Sequence, residues 1–132
     1  MTWGKYSHDA SNGTDHVGCA GCNAYSGDTD CNSFLPILCY KNDGSAIPPG
    51  FTPSFYEGWK YGHIGLTLPV HGKLLTSLAD ANKICEHYFG PGYEIAEHHH
   101  NWGGWTWRAF GNIRDDQRFW AYISNQPAHC WD

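Results

Sequence analysis

Apolar positions come in short separated runs, and their spacing predicts the elements. From His63 to Val70 the chain alternates strictly, with Ile64, Leu66, Leu68 and Val70 on one side and His63, Gly65, Thr67 and Pro69 on the other, which predicts a half-buried strand. The run Phe34 to Tyr40 reads as a strand closed by the turn Asn42-Asp43-Gly44, and Pro36 places it at an edge, because proline cannot donate to a ladder. Between Ser77 and Phe89 the period changes: Leu78, Ala81, Cys85 and Tyr88 recur at helical spacing, Ser77 and Asp80 match a capping box, and Gly90-Pro91 supplies the stop. Cys85 therefore lies on the buried face of this helix, and its partner should come from whatever the helix packs against. Three further strands are expected at Tyr93 to His100, Trp105 to Phe110 and Arg118 to Ser124, pairing as a meander if Gly103-Gly104 and the loop Gly111 to Gln117 close as hairpins.

Other stretches carry no such period. Residues 1–33 are rich in Gly, Ser, Asp and Asn and poor in aliphatics, so they are expected to wrap irregularly around a core supplied by 34–132. Within them Asp28, Asp30 and Asn32 alternate like a calcium loop, but Ser33 stands where such a loop needs Gly, so turn chemistry is the better reading. Ser45 to Gly58, with Pro48, Pro49 and Pro53, reads as an ordered loop. The expectation is one α+β domain over 1–132, with a small antiparallel sheet, one main helix and long disulfide-pinned loops.

Composition sharpens this picture. Charged residues are 16% of the chain and aromatic residues also 16%, so rings must fill much of an interior that aliphatics usually fill. The net charge of −5, with Lys and Arg scattered, argues against nucleic-acid binding. The nine histidines would turn the net charge positive if all were protonated, which leaves a pH-dependent surface open. No apolar run is long enough to span a bilayer. Six cysteines, Cys19, Cys22, Cys31, Cys39, Cys85 and Cys130, form an even set that favours disulfides in an extracellular or periplasmic setting, with Met1 standing in place of a removed signal peptide. Zinc held by Cys19, Cys22, Cys31 and Cys39 is the competing reading, although seven residues separate the second pair.

The tail Arg118-Phe119-Trp120-Ala121-Tyr122-Ile123-Ser124-Asn125-Gln126-Pro127-Ala128-His129-Cys130-Trp131 resembles that of a group of uncharacterised bacterial exported proteins. The likeness extends through Leu75 to Ala81, Phe89 to Tyr93, Ala96 to His99 and Tyr25 to Cys31, and it implies export but no mechanism. More distantly, the helix with Cys85, the strand at Gly92 to Ala96, the run Phe119 to Ile123 and the terminal Cys130 resemble the C-type-lectin-like arrangement. That resemblance implies a Cys85–Cys130 bridge. The calcium-sugar motifs of that fold, Glu-Pro-Asn and Trp-Asn-Asp, do not occur.

Two constellations could carry chemistry. In Glu97-His98-His99-His100, strand alternation puts Glu97 with His99 on one face and His98 with His100 on the other. Either pair could serve a divalent transition metal, with His63, His71, His87 or His129 as a third ligand, and Glu97 could instead orient His99 as a base. The second constellation is a ring-rich face of Trp102, Trp105, Trp107, Arg108, Trp120 and Tyr122, near Trp131, Asn101, Asn112, Asn125, Gln126 and Arg114. Sugars offer apolar CH faces edged by hydroxyls, so flat rings flanked by amides and guanidinium groups suit them. The leading expectation is a secreted module binding glycan or another cell-surface component. A small metalloprotein or metal-dependent enzyme, and a self-assembling extracellular subunit, are the alternatives. A cysteine nucleophile is disfavoured, because an even set of thiols in an oxidising setting pairs.

Overall fold

The computed structural model describes residues 1–99 and 105–132. Its elements in order are β1 (Thr2–Asp9), β2 (Thr14–Gly18), β3 (Phe34–Leu35), β4 (Leu38–Asn42), β5 (Gly58–Leu66), β6 (Val70–His71), a 3-10 turn (Gly72–Leu74), α1 (Leu78–Phe89), β7 (Glu94–Ile95), β8 (Thr106–Phe110) and β9 (Phe119–Trp120). Seven strands form one sheet in the order β7-β4-β5-β8-β2-β1-β9, while β3 and β6 pair separately.

The sheet nearly closes on itself. Beyond β7 the Ala96 N–H donates to Leu38 O at 2.8 Å, and Tyr122 N–H, just past β9, donates to Ala96 O at 3.0 Å. His98 N–H then donates to Tyr122 O at 2.9 Å, and Trp120 N–H to Pro36 O at 2.8 Å. The chain just past the end strands β7 and β9 is thus joined by the bridge of Glu97 opposite Tyr122, and a second bridge sets Ile37, just before β4, opposite Trp120 of β9.

Strand alternation sorts the core into two parts. Leu38 and Tyr40 of β4, Trp107 and Ala109 of β8, Trp3, Val17 and Phe119 fill the barrel interior. The intervening Cys39, with Ile37, Ile95 and Trp120, packs outward beneath α1 against Leu75, Ala81 and Cys85. Trp3 and Trp107 meet at 5.5 Å between ring centroids. Each ring removes at least about 150 Å² from water, worth roughly 4 kcal/mol at 25 cal/mol per Å².

The helix begins as the sequence predicts. Ser77 is the N-cap and its hydroxyl accepts from Asp80 N–H at 3.0 Å, while Gly90, with φ 102°, ends it. The apolar run at 34–40 becomes β3 and β4, broken at Pro36. Over 63–70 the expected strand is split: Ile64 and Leu66 belong to β5, Val70 to β6, and Leu68 between them is 68% exposed.

Several expectations are corrected. The sheet is large and mixed, because β5 and β8 run parallel. No meander forms among the described residues: β8 pairs with β2 and β5, and β9 pairs with β1. Residues 1–33 are not all wrap, since β1 and β2 form a central hairpin that buries Trp3 and Val17 completely. Composition hid β2 because it carries a buried carboxylate where an aliphatic would be expected. Asp15 is held there by Lys5 Nζ at 3.2 Å, by His8 Nδ1 at 2.7 Å and by the N–H of Ile113 at 2.8 Å. Cys19 to Ser33 does wrap irregularly, and Asp28 spends its oxygens on Thr2 and Asn23 N–H groups and the Thr29 hydroxyl, which is turn chemistry.

The cysteines pair as Cys19–Cys22, Cys31–Cys130 and Cys39–Cys85, so no zinc thiolates exist. The Cys85–Cys130 bridge implied by the lectin resemblance is therefore overturned. Cys85 faces β4, where Cys39 is the residue turned outward beneath the helix, and Cys130 instead ties the tail to the wrap at Cys31.

Candidate ligand-binding cleft

The cleft forms at the seam where the sheet closes. Ala24 and Tyr25 from the wrap, His98 and His99 beyond β7, Trp105 before β8, and Ile123, Asn125 and Gln126 after β9 line a hollow of about 190 Å³. Its rim is aromatic: Tyr25 is 62% exposed and Trp105 is 42% exposed. An adjoining hollow of about 230 Å³ shares Ile123 and Gln126 and extends to Tyr122, Ser124, His129 and Trp131.

Glu97 organises the floor. Its backbone carbonyl accepts from Trp107 Nε1 at 3.3 Å and lies 3.4 Å from Lys60 Nζ, both within the barrel. Its carboxylate accepts from the His99 backbone N–H and from Ser124 Oγ at 3.2 Å, and His99 Nδ1 is 3.4 Å away. The predicted Glu97 and His99 pairing is thus present.

His98 turns the other way and is 97% buried, being 3% exposed. Its ring packs on Trp3 at 5.5 Å, His99 at 4.9 Å and Trp105 at 5.0 Å, and its Nδ1 has no hydrogen-bond partner among the described residues. Burial, with a smaller push from His99, lowers its pKa to about 4, so the ring is neutral near pH 7.

The alternative metal site finds no assembled ligand set: among the described residues no three His, Cys, Asp or Glu side chains converge on one point. His63 pairs with Asp43 at 2.6 Å, His129 with Asp132 at 2.7 Å, and His71 and His87 meet the Phe34 and Tyr88 rings edge-on. His129 is also saturated, since its Nε2 accepts from Ile123 N–H at 2.9 Å. His100, Asn101 and Trp102 lie outside the described residues.

The expected ring face is divided. Trp107 and Trp120 are 0% and 1% exposed, and Trp120 Nε1 donates to Val70 O at 3.0 Å, so both are core. Alternation puts Trp105 and Trp107 on one face, but Trp105 precedes the strand and stays at the surface. Arg108 is engaged by Glu57 at 2.5 Å, and Arg114 by Asp116. Asn112 accepts from Lys5 Nζ at 3.3 Å. Tyr122 is half-buried beside Trp131, and burial raises its pKa to about 12. Of the predicted ring face, Trp105 reaches the cleft and Tyr122 the adjoining hollow, and the tail amides Asn125 and Gln126 join them.

Sequence reasoning missed Tyr25, the second exposed ring. The signal was its setting, an aromatic residue isolated in a turn-rich stretch with no apolar neighbours to bury it. Missed too was Lys60, whose burial in the barrel no local pattern announces.

No family model, no curated protein and no solved structure matches the chain.

Proposed function

We propose that the protein is an exported ligand-binding module whose seam cleft takes a terminal sugar of a glycan or of another cell-surface component. One observation carries this reading: two exposed rings, Tyr25 and Trp105, flank a hollow that also presents the Asn125 and Gln126 amides and the His99 imidazole. A sugar ring needs flat apolar surface for its CH face and directional donors and acceptors for its hydroxyls, and this set offers both. At about 190 Å³ the hollow falls below the roughly 300–1,000 Å³ of sites for drug-sized ligands, which suits an end group rather than an internal stretch of chain.

Three disulfides, with no helix among the described residues long and apolar enough to cross a membrane, support placing the module in an extracellular or periplasmic setting.

A glycan array with purified protein tests the reading. The expected result is a consistent family of hits sharing one terminal sugar, weakened at least about tenfold by Trp105→Ala and by Tyr25→Ala. An array without hits, or hits indifferent to both substitutions, refutes it. Both side chains are exposed, so neither variant threatens the core.

A further inference from the structure

A second concavity opens where β5 loses a neighbour. β4 pairs with one side of β5 through Leu66, but β8 accompanies the other side only as far as His63 opposite Phe110. Past Phe110 the chain leaves, and Gly111 N–H donates to Gly13 O at 3.0 Å instead. From Ile64 to Leu66 that edge of β5 has no partner strand among the described residues.

The five consecutive residues Ile64 to Leu68 line a groove of about 510 Å³, facing the segment Asn112 to Gln117. Successive side chains of a strand point to opposite faces, so a groove touched by every residue in turn sits on the strand's edge rather than on a face. An open edge offers unpaired backbone N–H and C=O groups, which another chain can pair with.

The walls are apolar and fixed. Leu68 is 68% exposed because Thr67 holds the chain out: its hydroxyl accepts from Ile37 N–H at 2.9 Å and donates to Leu68 O at 2.6 Å. At Pro69 and Tyr88 the groove meets a second hollow of about 410 Å³, where Phe34 and Leu74 are 64% and 63% exposed. Side chains this exposed and this close together mark an interaction surface. The basic residues lining the two hollows are His71, Lys83, His87 and Arg114, the last already paired with Asp116, and no Asp or Glu lines them, on a chain with 13 acidic residues against 8 Lys and Arg. Two copies meeting through this same face would set like charges together, whereas an acidic partner would complement it.

We propose that this trench docks an extended segment of another polypeptide. The segment adds a strand to the open edge of β5 at Ile64–Leu66, lays apolar side chains against Leu68 and Phe89, and carries an acidic residue toward Lys83 and His87. Backbone pairing along an edge selects a peptide over a lipid, which has no amides to offer.

The probe is a random seven-residue peptide display library selected on the full chain. Enriched sequences are expected to alternate apolar residues and to carry Asp or Glu. Synthetic versions should bind at least tenfold more weakly to Leu68→Asp and to Lys83→Glu, both surface positions, with near-ultraviolet circular dichroism confirming an unchanged fold. Methylating alternate peptide amides should abolish binding in one register and spare it in the other, and bound peptide should slow amide exchange between Ile64 and Leu66. The proposal is overturned if no peptide is enriched, or if binding ignores both substitutions and amide methylation. It is equally overturned if sedimentation shows a dimer that Leu68→Asp dissolves, which would make a second copy the occupant, or if anionic vesicles bind in place of peptides.

Discussion

Replacing Lys60 with methionine tests the barrel interior most directly. Lys60 is 0% exposed, and its Nζ lies 4.4 Å from the Tyr40 ring centroid and 4.7 Å from that of Trp107. Burial lowers its pKa well below the usual lysine value, against the opposing pull of Glu97 and Glu94. In the unfolded chain the same amine titrates near 10.4. Between the folded and unfolded values the unfolded state holds a proton that the folded state lacks. Stability therefore rises with pH over that window, by about 1.4 kcal/mol per pH unit, and falls as pH descends toward the folded value.

Lys60→Met keeps the length and the apolar stem and removes the ionisation. Urea unfolding of both proteins at several values between about pH 7.5 and 9.5 gives the difference in slope. Subtraction cancels the groups common to both, including the amino terminus, whose pKa burial also lowers. The parent should gain on the variant as pH rises, by at most about 1.4 kcal/mol for each unit, and the variant should equal or exceed the parent at the lower end, since the parent's amine must give up its proton or its hydration to fold and methionine does neither. Parallel curves would mean that Lys60 is charged in the folded protein at pH 9, and the reasoning would fail. With all six cysteines paired, no free thiol is present to start disulfide exchange at the alkaline end.

Two further outcomes follow from the same structure. Paired Cys→Ala replacement should rank the bridges by the loops they close, with sequence separations of 99, 46 and 3 giving losses of about 5, 4 and 2 kcal/mol for Cys31–Cys130, Cys39–Cys85 and Cys19–Cys22. Cys39 and Cys85 are fully buried, so the hole left behind adds to their loss, and a Cys19–Cys22 deletion as costly as the other two in denaturant would contradict the ranking. His98, with its pKa lowered to about 4, should make the protein less stable as pH falls from about 6.5 toward 4, by up to roughly 3 kcal/mol. His98→Phe should flatten that acid limb in thermal melts, and an unchanged limb would assign the loss to other groups.

How much of this was legible in the chain depended on whether the signal was local. The helix was, because Ser77, Asp80 and Gly90 mark its ends and Ala81 and Cys85 its buried face. The break at Pro36 was not: the run 34–40 reads as one edge strand, whereas the missing donor divides β3 from β4, and β4 lies inside the sheet between β7 and β5. The parallel pairing of β5 with β8 was not, since it joins segments some fifty residues apart that no turn connects, with Gly58 opposite Trp107. The ring face misled for a related reason: alternation implies one wet and one dry side only in an open sheet. Here the sheet closes and α1 covers its outside, so Phe119 points into the barrel, Trp120 points under the helix, and neither reaches water. The cysteine pairing was half legible. The helix face told that Cys85 would meet the element beneath it, but which cysteine lay there required the register of β4.

Both surfaces assigned a role occur where the sheet is interrupted. Within a continuous ladder the backbone groups satisfy one another and the side chains are committed to the core or to the covering helix. At the closing seam, among the described residues, the Glu97 and Tyr122 bridge and its neighbours hold the ends together, and His99, Trp105, Asn125 and Gln126, from segments distant in sequence, line a common hollow. At the departure of β8 the backbone of β5 itself is left open, and the groove follows that edge. Both proposed sites thus lie at discontinuities of a nearly closed, ring-filled barrel. Substitutions confined to Tyr25 and Trp105 should therefore leave peptide docking intact, and substitutions at Leu68 and Lys83 should leave sugar binding intact, because the two sets share no lining residue.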